Sequence, residues 1–322
     1  MTVTERVIKK RRSYPRTFFR FLNPILITVM AIVVNFFFSD EIAHSVRSAL
    51  FLCYEVLIPS IFPFMILADL IFHYADFSSL GVISSLFERV FHVRAAGLCA
   101  FMLGILCGFP LGVKCARDLY SAGAITREEC ERLIGFSNNT GPAFLISGIG
   151  LGLRGSATDG VILYFSMVLS AVICGALFGL FSKGQIPEQT SVKAYKKENF
   201  SLINSIKNAG VGTLNVCAYL TFFSIFAGLI KKAVGISYPY AFILPFLEVG
   251  SATSILSKIS FLPKDLSLSL SAFAVGFSGL CVHMQAAHFL SGTDISMKKY
   301  IFMKLLQGLL AFSLCSVFCS IF

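Results

Sequence analysis

The sequence predicts an all-α polytopic membrane protein built from two inverted repeats, with discontinuous spans and re-entrant hairpins. Three observations lead there. The chain is 322 residues long, 56% hydrophobic and only 14% charged, with a mean hydropathy of +0.79. A soluble domain is about a quarter charged, so this one has too little polar surface to coat a globule. Apolar runs near 18–38, 50–72, 161–181, 211–230, 266–290 and 300–322 reach the ~20 residues that a spanning helix needs. They are too long and too uniform for alternating barrel strands, and lipid tolerates no other fold. Finally, two further apolar stretches break at Gly or Pro, and the order of elements recurs.

The first 17 residues form a basic tail expected in the cytoplasm. Arg6, Lys9, Lys10, Arg11, Arg12 and Arg16 precede an anchor helix and loop at 18–47, and Arg20 lies near its start. The anchor is longer than a signal core and has no small-residue cleavage site, so it is not expected to be removed. The first repeat occupies 48–181: a span at 48–73, a hairpin at 95–123, a broken span at 128–153 and a span at 158–181. The first hairpin turns at Gly108-Phe109-Pro110-Leu111-Gly112. A basic cytoplasmic linker fills 182–210. The second repeat, 211–322, runs span 211–232, hairpin 240–262, broken span 266–290 and span 300–322. Its hairpin turns at Glu248-Val249-Gly250-Ser251.

This arrangement puts 21 Lys and Arg inside and six outside, as the positive-inside rule expects. Lys304 counts among the inside residues and Arg47 among the outside ones. Ile134-Gly135-Phe136-Ser137 echoes Val275-Gly276-Phe277-Ser278 in the second broken span. Three crossings separate corresponding elements, so the halves are inverted, a transporter architecture with its site near the midplane. The ten cysteines show no metal or disulfide spacing and read as small buried hydrophobes. No metal or organic cofactor is indicated. The net charge of +10 follows topology, so no nucleic-acid partner is expected. No hydrolase, zinc or phosphate-loop motif is present, which argues against an enzyme. Because the chain ends within its last apolar segment, a cytoplasmic tail beyond it is expected to be absent.

Candidate functional residues are the polar groups at depth. Ser137-Asn138-Asn139-Thr140-Gly141-Pro142 interrupts the first broken span, where Asn139 or Thr140 could cap the next half-helix. Adjacent Asn are costly in a membrane, and a half-helix N-terminus favours an anion. Lys114, Arg117 and Asp118 follow the first turn. Lys114 is either a site cation or a headgroup charge, and Asp118 is placed to pair with it. Glu248, beside Ser251, reads as a proton carrier or as a partner for a basic residue of the other hairpin. Ser278, His283, Gln285 and His288 lie on the second broken span. His283 could bind solute, shuttle protons or be a satisfied core residue. Asp69 is a further polar candidate near a span end.

Several stretches together resemble the sporulation integral membrane proteins of the YlbJ type, within the nucleoside-recognition, or Gate, superfamily. They are the run from Pro59 to Phe64, Gly108 to Gly112, Asp118 to Glu129, and Phe136-Ser-Asn-Asn-Thr-Gly-Pro142. The resemblance implies a transporter or channel that moves dipicolinic acid, a small aromatic dianion, across the outer forespore membrane facing the mother cell. Nucleosides or another neutral metabolite are the alternative cargo, and a non-transporting scaffold in spore assembly is the third reading. Oligomeric state is left open.

Overall fold

The computed structural model describes residues 24–74, 81–182 and 200–321. The basic tail at 1–17 and most of the 182–210 linker lie outside the described residues. Among the described residues every regular element is a helix.

The expected anchor is represented by α1, Pro24–Phe37, whose Met30, Ile32, Phe36 and Phe37 are exposed. It packs against α2, Ser39–Leu52. A π turn, Cys53–Leu57, joins α2 to α3, Ile58–Tyr74. The first span of the repeat therefore begins near Ser39 rather than at residue 48. Arg47 is a helical residue and not part of an outside loop. The reason is packing: α2 and α3 together lie antiparallel along α9, Leu202–Val234. Glu41 pairs with Lys232, Cys53 Sγ donates weakly to the Cys217 carbonyl, and Ser205 Oγ donates to Asp69 Oδ2 at 2.7 Å.

Residues 82–91, between the first span and the first hairpin, form α4, Val82–Phe91. It exposes Val82, Ile83 and Leu86 while burying Phe87 and Phe91. Phe91 stacks on Phe136 with ring centroids 4.8 Å apart. The first hairpin is α5, Gly97–Cys107, and α6, Leu111–Ser121. The first broken span is α7, Arg127–Ser137, followed by a π-helix, Ala143–Leu153. A complete capping box at Thr126 and Glu129 starts α7. Ser156 caps α8, Ala157–Leu180. In the second half come α10, Tyr238–Leu247, and α11, Val249–Leu256. They are followed by α12, Lys264–Phe277, α13, Gly279–Phe289, and α14, Met297–Ile321.

The contacts repeat between halves. α8 packs on α14, and α3 packs on α9, each on its own counterpart. α7 touches α14 as α12 touches α8, and α6 touches α13 as α11 touches the π-helix. That reciprocity is what a pseudo-two-fold relation between two equivalent sets produces. Among the described residues four helices are long and apolar enough to cross a bilayer, α12 and α13 counting as one, or five when Ser39–Leu57 and Ile61–Ile71 count as one bent span. Large apolar side chains are exposed along α3, α8, α9 and α14. So much exposed apolar surface marks contact with lipid. The protein is an integral, multi-pass membrane protein.

Charged residues gather at the two ends. One end holds the pairs Arg94–Glu129, Lys299–Glu131, Arg127–Asp294 and Lys114–Asp69. The other holds Lys232–Glu41, Arg154–Asp159 and Lys264–Asp159. No described ion pair joins a residue expected inside to one expected outside. Lys304 is the exception to the expected distribution of charge, because it is fully buried within α14.

Candidate functional site

Each hairpin tip sits on the break of its own half. A Cβ on Gly108 would stand 2.7 Å from Gly141 N, and one on Gly279 would stand 2.9 Å from the Leu247 carbonyl. Gly108 and Gly279 also have positive φ, +90° and +61°, so glycine answers both demands. The Ser137 carbonyl lies wedged between Gly104 and Gly112. The glycines of this region are therefore there to let backbones touch.

Between the two tips lies a cavity. Its wall includes Phe109, Thr140, Gly141, Glu248, Cys281 and Gln285, with apolar flanks from α3 and α9. The space open to the centres of water-sized spheres is about 60 Å³, room for a few waters only. α6, the π-helix, α11 and α13 all begin at or within two residues of this wall. Three of these N-termini have no side-chain cap. The fourth, that of α11, is capped by Glu248, whose carboxylate accepts from Gly250 N and Ser251 N at 2.5 Å each. Glu248 is therefore a helix cap. The expectation that it pairs with a basic residue of the other hairpin is not met among the described residues, and Ser251 holds the carboxylate through its backbone N–H and its side chain. Thr140 and Gln285 are each 2% exposed, and Thr140 Oγ1 and Gln285 Oε1 have no hydrogen-bond partner among the described residues.

Neither Asn139 nor Thr140 caps the following half-helix, against the expectation from the sequence, and the two Asn side chains go elsewhere. They turn toward α14. Lys304 Nζ donates to the Asn138 carbonyl at 2.7 Å and to Gln307 Oε1 at 2.8 Å. Gln307 Nε2 donates to Asn139 Oδ1 at 2.8 Å, and Asn138 Nδ2 to Tyr300 OH at 2.9 Å. Asn139 Nδ2 closes back on the Phe136 carbonyl at 2.7 Å. Tyr300, Lys304 and Gln307 share one face at i, i+4 and i+7. Sequence reasoning missed this trio by counting Lys304 as an end charge. The signal was present: Lys304 falls inside the apolar run 300–322, at helical spacing from Gln307.

His283 Nδ1 lies 2.6 Å from the Gly279 carbonyl, its ring 5.1 Å from that of Tyr300, and its Nε2 has no partner. Ser278, at φ +72°, forms the second break, and its hydroxyl donates to the Val275 carbonyl. Lys114 does not join the Asn pair. Its Nζ lies 2.5 Å from Asp69 and 3.4 Å from Asp118, in a polar vestibule of about 570 Å³. Arg117, Asn208, Asn215 and His288 line the same vestibule. The expected site residues thus divide among the cavity, the α14 network and the vestibule.

A curated protein shares this sequence pattern across most of its length. The chain is similar to the sporulation integral membrane protein YlbJ of Bacillus subtilis (strain 168). Identity is 28%, and the match covers 82% of this chain and 74% of that protein. This likeness supports a YlbJ-type membrane protein. No family model and no solved structure matches the chain.

Proposed function

We propose that this protein acts in sporulation as a transporter or channel for a small organic anion, with dipicolinic acid the first solute to test and the outer forespore membrane its site. The carrying observation is the cavity at which half-helices from both halves begin. Each N-terminus without a side-chain cap carries about half a positive charge. Glu248 offsets one such end, so the wall retains a positive field without any lysine or arginine. Among the described residues the buried Thr140 hydroxyl has no partner and can donate to a carboxylate, and the Gln285 amide can do so by turning its Nε2 from Cys281 Sγ. A planar dianion answers both features. The sporulation context rests on the name of the similar protein.

Flux into proteoliposomes tests the reading. Purified protein is expected to carry dipicolinate down an imposed gradient. Thr140→Val and Gln285→Leu should each raise the half-saturation concentration roughly tenfold, the effect of losing a hydrogen bond to a charged ligand. An absence of protein-dependent flux in either direction would overturn the proposal and favour the scaffold reading.

Glu248 and Gln285 also supply a carboxylate and an amide, which a neutral nucleoside would use. Competition separates the two cargoes. Nucleosides that block flux at concentrations where monocarboxylates do not would move the assignment to the neutral class.

A further inference from the structure

The cavity and the vestibule lie on the same faces of the same three helices. On the α3 side, Leu57 and Ile61 line the cavity and Asp69 lines the vestibule. On α9, Val216 and Leu220 face the cavity, and Asn208, Val211, Gly212 and Asn215 face the vestibule. On α13, Cys281 and Gln285 face the cavity, and His288 and Phe289 the vestibule. Residues three and four apart share a helix face, so α9 and α13 pass from one space to the other within about a turn, and α3 does so over about two turns.

Met65 occupies the middle of that stretch of α3. It is four residues from Ile61 and four from Asp69, and it is 1% exposed. Its thioether covers Gly212. A Cβ placed there would meet Met65 Cε at 2.7 Å and Phe289 Cζ at 3.8 Å. Thr213 Oγ1 approaches Met65 Sδ at 3.8 Å. Met65 and Phe289 therefore meet over a residue without a side chain.

We propose that the vestibule and the cavity are two stations of one permeation path, and that Met65 with Phe289 forms the barrier between them. The proposal rests on the reading of the cavity as a solute site. The vestibule offers Lys114 and Arg117 to an arriving carboxylate, in place of the Asp69 and Asp118 oxygens that hold them in this structure. Methionine suits the barrier because it is unbranched and rotates about three bonds. It can swing aside without backbone motion, and Gly212 leaves room for a solute to pass.

Two native thiols on the cavity wall, Cys281 and Cys107, report on access. A membrane-impermeant, anionic methanethiosulfonate reagent would be applied to proteoliposomes from the vestibule side, with labelling read peptide by peptide by mass spectrometry. Cys174, fully buried against the Met303 carbonyl at 3.4 Å, reports any loosening of the fold. Met65→Ala and Phe289→Ala are expected to speed Cys281 labelling at least tenfold while Cys174 stays unlabelled, with Met65→Leu close to the parent. A Cys281 rate unchanged in both alanine variants, or one that rises only together with Cys174, would overturn the barrier. Dipicolinate flux is measured on the same vesicles. Faster labelling with no flux in any variant would remove the solute reading and leave the barrier standing.

Discussion

Gly104→Ala is expected to abolish accumulation of the folded protein. A methyl group at that position would lie inside the Ser137 carbonyl, a backbone atom that cannot rotate away. Gly112 presses on the same carbonyl from the other arm of the hairpin. Neither arm can therefore retreat without opening the hairpin or displacing the break it rests on. Overpacking a well-filled core costs about 1–3 kcal/mol when side chains can adjust. Here the obstacle is backbone on both sides, so the loss should exceed about 3 kcal/mol, a large part of the ~5–15 kcal/mol that holds a typical domain. Gly148→Ala is the matched control. Its nearest neighbours would be Phe144 Cδ2 at 3.8 Å and the Ala143 carbonyl at 3.9 Å, ordinary contact distances. Size-exclusion profiles in detergent should show a monodisperse peak for Gly148→Ala and aggregate for Gly104→Ala. A monodisperse Gly104→Ala protein with parental melting would refute the close-packed hairpin.

The second large effect belongs to Gln307. Gln307→Leu leaves the buried Lys304 ammonium with the Asn138 carbonyl as its remaining hydrogen-bond acceptor and strips Asn139 Oδ1 of its donor. Leaving charged and polar groups buried without partners is expensive, and the combined loss should be about 2–4 kcal/mol. Lys304→Met should cost less, because it removes the buried charge along with its hydrogen bonds and leaves only neutral acceptors unsatisfied. The two side chains touch, so their effects should not add. The double variant should be more stable than the sum of the single losses by more than about 1 kcal/mol. Thermal melting of the four proteins in one detergent gives the cycle. Strict additivity would mean that the α14 trio does not act as a unit in holding the first break.

The order of helices was legible in the sequence because lipid imposes a strong rule. A chain that crosses a bilayer must supply long apolar helices, and it can interrupt them only where protein or a cavity covers the break. Gly108-Phe109-Pro110 and Glu248-Val249-Gly250 stand out for that reason, and both are the hairpin tips. Exposed loop and buried helix are harder to tell apart. α4 leaves no such mark, because ten residues do not span a membrane, although an amphipathic helix packed by Phe87 and Phe91 needs no such length.

What each polar residue touches was not legible. A lysine near a helix end in sequence is ordinarily a topology marker. Lys304 becomes a core residue only because Asn138 and Gln307, 166 and 3 residues away, converge on it. Lys114 looked like a neighbour of the Asn pair, yet Asp69, 45 residues before it, draws it into the vestibule. Hydropathy and helix-breaking residues act locally, so the sequence by itself determined a helical membrane protein with two broken, hairpin-bearing halves. Hydrogen bonds and charge pairs between distant helices depend on where those helices are packed. Only the tertiary structure decided that the cavity wall carries Thr140 and Gln285, that Glu248 caps a helix, and that Met65 stands between cavity and vestibule.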